Sequence, residues 1–450
     1  MNKIYFLLIT CLIAVSASAQ TLTIDSCRAM ALQHNKDRQQ AALSTEAAIY
    51  TMRSTKALFF PNISFVGAAG YLTDNGSLGV EGGMLPVGAL GATGFAPNGQ
   101  YAYFPGLDMK VKARDMYTAS LMLKQPIYMG GKIRAGYRKS QLAVDLYRQL
   151  ERRSEAEVIQ QVDEAYAKVV KARELEQVAQ SYLTLLEELD KNVESAIRHG
   201  MRMEADRMKV QVRISEVKLQ IRRAQNGVRL ATMNLCHVIG SPLDTPLQVT
   251  ADYPAIDDAQ ALATMNVQSR PEYQALAYQT QLAEQDVKMA RAEHLPQVAL
   301  LAKYGYNYGI QVNNHALLDG FAFAGGVVVN VPIYHFGEYA NKIKAAKVKR
   351  KQAELELESK AELMTLELTQ AANNLDEARL EVSLAEQSQE SAHATMLICR
   401  KQFDAGVEPL AGYLEAQATW QKAYEAQVDA HFQLYLASVN YLRTTGQLVK

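Results

Sequence analysis

The chain has 450 residues, 48% of them hydrophobic, and 47 Lys+Arg against 47 Asp+Glu. Balanced charge gives no support for a nucleic-acid partner. Of the four cysteines, Cys27, Cys236 and Cys399 lie beyond the first twenty residues, and an odd three without close spacing indicates neither a disulfide framework nor a metal cluster.

In chain order, residues 1–19 read as a secretory signal peptide: Lys3, an apolar run to Val15, then the small residues Ala17 and Ala19. The run falls short of the roughly 20 apolar residues that a membrane-spanning helix needs. Cys11 lacks the small-residue lead-in of a lipidated cysteine. Removing the peptide takes away Lys3 and no acid, so the charge becomes 46 minus 47, or −1. No later segment is long and apolar enough for a transmembrane helix. A membrane crossing would have to be made with strands.

The mature chain repeats itself. A shift of 206 residues superposes "PIY" at 126–128 on "PIY" at 332–334, and carries Gly131 to Gly337, Gly200 to Gly406 and Gly240 to Gly446. Residues 20–240 are read as the first repeat, 241–261 as a Pro-bearing linker and 262–450 as the second repeat. Between the glycines, 132–199 and 338–405 lack proline, and apolar residues recur every three or four positions. These are very long helices with a coiled-coil stripe. Each is followed by a return stretch of 39 residues, 201–239 and 407–445. Residues 27–57 and 262–294 are also helical by pattern, and each return path is predicted to be two helices stacked end to end. The linker is expected to join the pieces in one repeat, and the two chain ends to meet in the other.

Four stretches alternate instead: about 59–72 and 114–128 in the first repeat, about 296–309 and 321–334 in the second. Phe65, Tyr117, Tyr304 and Phe323 fall on apolar faces, with Ala68, Gly70, Ser120, Ala324 and Gly326 on small or polar ones. Each stretch has about the 9–11 residues that a tilted strand needs to cross a bilayer. The intervening 73–113, with nine glycines and three prolines, reads as a long irregular loop, and 310–320 as a short one. Four strands cannot close a barrel, and an open edge in lipid leaves backbone groups unpaired. Three copies would give twelve strands around an open lumen. The expected fold is mainly α with a β-barrel part, a tandem-duplicated helical barrel plus four transmembrane strands per chain, assembled as a trimer. The turns Pro126/Gly131 and Pro332/Gly337 mark each strand becoming a helix.

With "LTIDSCRAMALQHN" at 22–35, the two "PIY" strand exits, and the tips "AIRHGMRMEADRMKVQV" (196–212) and "QFDAGVEPLAGYLEAQ" (402–417), the chain resembles the TolC-like outer membrane factor family over essentially all of its mature length. The resemblance implies a homotrimeric exit duct of a tripartite efflux or type I secretion system. It would sit in the outer membrane, extend into the periplasm, and dock on a periplasmic membrane-fusion adaptor that connects to an inner-membrane transporter. It also implies docking at the tips: Gly200, Met201, Arg202, Asp206, Gly406, Val407 and Glu408. Gly412 stands where the family often has an aspartate. A periplasmic gate would draw on Asp190, Glu194, Arg198, Arg400, Lys401 and Asp404, which serve equally as a solvated tip.

Met201, Met203 and Met208 would suit Cu(I) by their thioethers, but methionine also packs adaptably at assembly surfaces, and metal export is the lesser reading. No phosphate loop, nucleophile elbow or paired-carboxylate constellation is present, so no enzyme activity and no cofactor are predicted. The rival reading is a periplasmic coiled-coil adaptor or structural envelope protein without a pore. It shares the long helices but has no need of bilayer-length strands.

Overall fold

The structure, a computed structural model, describes residues 21–71, 76–91, 94–112, 115–250, 253, 266–312 and 315–448. The signal-peptide reading and most of 251–265 lie outside these residues. The chain divides into two compact units, one formed by residues up to 49, 141–282 and 351–450, the other by 50–140 and 283–350.

Seven helices are described: α1 (Ile24–His34), α2 (Lys36–Ala57), α3 (Lys132–Arg198), α4 (Glu204–Val238), α5 (Pro271–Ala292), α6 (Glu338–Asp404) and α7 (Leu410–Thr444). Six of them fall into equal pairs. α2 and α5 have 22 residues each, α3 and α6 have 67, and α4 and α7 have 35. The long helices end where glycine can take the left-handed conformation that an L side chain resists. Gly200, Gly240, Gly406 and Gly446 all have φ between 74° and 77°. At each, the glycine N–H and the next N–H turn back to helix carbonyls, as in Met201 N–H to Ala196 O (2.9 Å) and Val407 N–H to Gln402 O (2.9 Å). That double bond closes the last turn and explains why these four glycines keep their spacing.

Within the first unit, the apolar stripes meet in three cores. One joins α1, α3, α4 and α7 around Cys27, Tyr166, Leu235 and Tyr435. Another lies toward the tips, around Leu186, Val210, Phe403 and Tyr413. A smaller third joins Leu368, Ala371 and Leu375 of α6 to Tyr441 of α7. Asp163 is fully buried in α3 and accepts both prongs of Arg28 at 2.7 and 2.8 Å. Burial pushes the Asp163 carboxyl above the usual range even with Arg28 against it. A short parallel pair, β1 (Thr21–Leu22) with β8 (Gln248–Val249), ties the chain start to the linker. Arg173 donates to the carbonyls of Leu247 and Val249, holding that strand against α3.

The stacking of the return helices differs from the sequence expectation. Asn35 interrupts the single helix read over 27–57: its Oδ1 caps α2 through the N–H groups of Asp37 and Arg38, and its Nδ2 donates to Val238 O at 3.0 Å. The end of α4 therefore abuts the start of α2. The end of α7 abuts the start of α5, where Ser269 Oγ donates to Thr445 O and Glu367 bridges buried Arg270 to Arg443. Each return helix is thus completed within its own repeat, not by α5 across the linker or by the chain start. Periodicity supplies the lengths of helices but not their partners.

In the second unit, four long antiparallel strands lie in the order β2 (Asn62–Tyr71), β7 (Asp115–Met129), β9 (Gln297–Val312), β10 (His315–Asn330). Register places Phe65, Leu121, Tyr304 and Phe323 in one row, and Val66, Ser120, Gly305 and Ala322 in a neighbouring row on the opposite face. One face is apolar and aromatic; the other is small or polar, with Thr118 bonded to Asn307. β2 and β10 each have one edge without a partner among the described residues.

The loop read as irregular is instead built of strands: β3 (Gly76–Val80) pairs with β6 (Leu107–Lys112), and between them β4 (Gly83–Gly91) pairs with β5 (Gly94–Phe104). β6 continues onto the end of β9 through Val111 and Lys112. Nor is 310–320 a loop, because β9 and β10 run to Val312 and from His315. β10 in turn stops at Asn330, so the second Pro-Ile-Tyr lies outside any strand.

Candidate functional site

Two helix-turn-helix tips are built alike. α3 ends at Arg198, and three residues after Gly200 separate it from α4; α6 ends at Asp404, and three residues after Gly406 separate it from α7. In both, the residue after the glycine is turned outward: Met201 is 69% exposed and Val407 76%. Met201, Arg202, Asp404, Gly406, Val407 and Glu408 line one groove of about 560 Å³ between the tips. The Arg202 guanidinium lies 4.4 Å above the Phe403 ring, which stacks on Tyr413 at 5.3 Å. This cation–π latch joins the two tips and contributes on the order of 1 kcal/mol. Phe403 and Tyr413 carry it, and sequence reasoning passed over both because each reads as one more apolar residue in a helical stripe.

Asp206 sits in the first turn of α4, where a carboxylate complements the helix dipole, and accepts from Lys209 at 3.2 Å. At the corresponding position of the other tip, Gly412 has no side chain, and the Glu408 carboxylate occupies the place where its Cβ would stand. The anion missing from position 412 is thus supplied from position 408, at the N-terminal end of α7.

The charged residues weighed for a gate do not gather in one cluster. Asp190 and Glu194 are both held by Arg207, at 3.4 and 2.9 Å. The Asp190 hydrogen bond pushes the already high Arg207 pKa further up. Arg400 reaches across to Glu188 at 2.9 Å. Arg198 and Lys401 are exposed, and Asp404 faces the groove. Arg207 and Glu188 were not foreseen; each stands a helix away from its partner, and charge pattern alone does not match such pairs.

At the strand-to-helix turns, Pro126 lies within β7 opposite Ala299, and the register slips just beyond it. Gly130 (φ 61°) and Gly131 (φ 85°) then lead into α3, and a Cβ on Gly130 would stand 2.8 Å from Leu295 Cβ. In the second repeat Pro332 follows the end of β10, and Gly337 (φ 86°) leads into α6. The 206-residue shift places Phe336 opposite Gly130. It is the one non-glycine residue with positive φ (47°) among those described.

Paired long helices with glycine tips, and a sheet whose four long strands carry an apolar face between two unpaired edges, fit a channel-type protein of the outer membrane. The outer membrane efflux protein family description matches two stretches, residues 28–241 and 262–447. The chain belongs to the outer membrane efflux protein family. It is similar to the outer membrane efflux protein BepC of Brucella suis, with 23% identity over 80% of this chain and 79% of BepC. It is also similar to the alkaline protease secretion protein AprF of Pseudomonas aeruginosa, with 22% identity over 74% of this chain and 69% of AprF. The crystal structure of VceC from Vibrio cholerae shares the fold, with a TM-score of 0.73 at 14% identity, covering 94% of this chain and 96% of that one.

Proposed function

We propose that three copies of this chain form the exit duct of a tripartite efflux or secretion system. The observation that carries this reading is the pair of open edges, β2 and β10, flanking a sheet with one apolar, aromatic face. In lipid, each unpaired backbone group costs several kcal/mol, and closing β2 of one copy onto β10 of the next removes the cost without distorting the chain. Three copies of four strands make twelve, enough to leave a lumen lined by the small and polar face. The helices support the same assembly. α4 leaves Met208, Val212, Leu219 and Leu230 exposed, and α6 leaves Leu355, Leu363, Leu366, Leu380 and Leu384 exposed, at spacings a neighbouring helix would cover. The equal helix pairs and the two family matches support a tandem duplication with its joint at 241–261.

The tips are read as the surface that meets a periplasmic adaptor, with Gly200, Met201, Arg202, Asp206, Gly406, Val407 and Glu408 forming it. The gate is read as the tip ion pairs that hold neighbouring helices together: Asp190 and Glu194 with Arg207, and Arg400 with Glu188, beside Arg198, Lys401 and Asp404. The purified protein should conduct ions across a planar lipid bilayer, and failure to conduct in any condition would contradict the duct. Gly406→Val should leave trimers in the outer membrane while abolishing crosslinking to the adaptor. Normal crosslinking and normal export by that variant would overturn the docking assignment.

A further inference from the structure

The β4–β5 hairpin is a two-stranded sheet of its own, attached to the rest of the unit through the β3–β6 ladder. The ladder joins the sheet at the end of β9 near Val312, away from the end where β7 leads into α3. The attachment is a glycine waist: a Cβ on Gly82 would stand 2.9 Å from Phe104 O, and one on Gly106 2.7 Å from Gly82 N. Residues 83–104 contain no Asp, Glu, Lys or Arg. Strand alternation puts Met84, Leu90, Phe95, Tyr101 and Tyr103 on one face, with Met84 paired to Tyr103 and Leu90 to Phe95. Leu90 is 89% exposed and Tyr103 70%. An isolated two-stranded hairpin is marginal in water at best, and an uncovered aromatic face makes it worse.

Something therefore covers that face, and three features point to copies of this chain. Pro86 and Pro97 lie in strands that are both edges, and proline cannot donate to an added strand, so association by edge is disfavoured and the face is the better contact. A face without charge is compatible with itself and offers nothing to a charged partner. The hairpin is also held by the same sheet whose open edges require neighbouring copies, so any rotation that closes β2 on β10 brings the hairpins around one axis. We infer that the aromatic faces of the β4–β5 hairpins from three copies meet over the outer mouth of the barrel and narrow the exit. The inference rests on the trimeric duct proposed above.

The test uses the full chain carrying Cys399→Ser, since Cys27 and Cys236 are buried. Leu90→Cys should form disulfide-linked dimers in purified trimers under mild oxidation, up to about two-thirds of the chain because three-fold symmetry leaves one copy over. Ala89→Cys, on the other face, should stay unlinked. Replacing residues 84–103 with an Asn-Gly turn should roughly double the single-channel conductance, because a constriction in series with the pore is gone. Trimers in which Leu90→Cys is freely labelled by a bulky maleimide without crosslinking, and in which the shortened chain conducts as before, would overturn the contact while leaving the duct standing. A chain that forms neither trimers nor pores would overturn both.

Discussion

The four helix-ending glycines share one φ value but not one environment, and alanine at each should separate the two costs. An L side chain in the left-handed region costs about 1–2 kcal/mol, of which the reduced freedom of the unfolded chain returns about 0.4–1 kcal/mol. At Gly200 and Gly406 a Cβ would meet nothing within 4 Å. The net loss there is about 1 kcal/mol, confined to the tip. At Gly240 the same Cβ would stand 2.7 Å from His34 Cβ and 2.8 Å from its carbonyl oxygen. The end of α4 must then move off the α1–α2 break, adding about 1–3 kcal/mol for overpacking and straining the Asn35 bond to Val238. Gly446, whose Cβ would find ordinary contacts at 3.5 Å, should behave like the tips. Thermal melting followed by helical circular dichroism on detergent-purified protein reads the difference. The expected order is Gly240→Ala well below the other three, which lie close together. Equal losses at all four positions would refute the packing argument.

Other expectations follow from the buried charges and from the second strand exit. Arg28→Ala leaves the Asp163 carboxylate buried and unpaired, and should cost about 3–5 kcal/mol in urea unfolding; Arg28→Met with Asp163→Leu should recover most of it, and a double variant worse than the single would contradict the pairing. At the α7–α5 joint, burial pushes the Glu367 carboxyl up, but hydrogen bonds from Arg270 and Arg443 outweigh it and hold the group below the ordinary glutamate value. A depressed carboxylate stabilises the fold above its unfolded value of about 4.3 and loses that contribution as pH falls through the folded one. Acid melts of Glu367→Gln should therefore show a shallower loss below about pH 4.3 than the parent chain, and parallel curves would remove Glu367 from the joint. Phe336→Gly should relieve left-handed strain and, after the flexibility of glycine is counted, stabilise by about 0.5–1 kcal/mol. A lowered melting temperature would contradict the strain argument and show that the ring's contacts, beginning with Tyr334 at 4.8 Å, outweigh it.

Much of this architecture is written in local patterns. The alternation of Tyr304, Tyr306 and Tyr308 with Lys303, Gly305 and Asn307 marks a two-faced strand, and the glycines at 200, 240, 406 and 446 mark helix ends, because both signals are set by neighbours in sequence. Features decided at long range were not legible. The β4–β5 hairpin hides in a segment whose glycines and prolines resemble loop composition, although those residues sit at its waist, bulge and edges. The joint between α4 and α2 depends on Asn35 meeting Val238, more than two hundred residues away. At the tips, the glycines and the residues after them were visible, whereas the Arg202–Phe403 latch and the Arg207 pairs required knowing which helices are neighbours. Gly412 read as a missing contact, and only the fold reveals Glu408 in its place.

The number of copies in the detergent-solubilised assembly tests most directly whether open strand edges drive the chain to close on itself. Native mass spectrometry of protein extracted from outer membranes should give three times the mass of the mature chain, shifting to single copies only on boiling. A single copy that stays soluble once detergent is removed would contradict it.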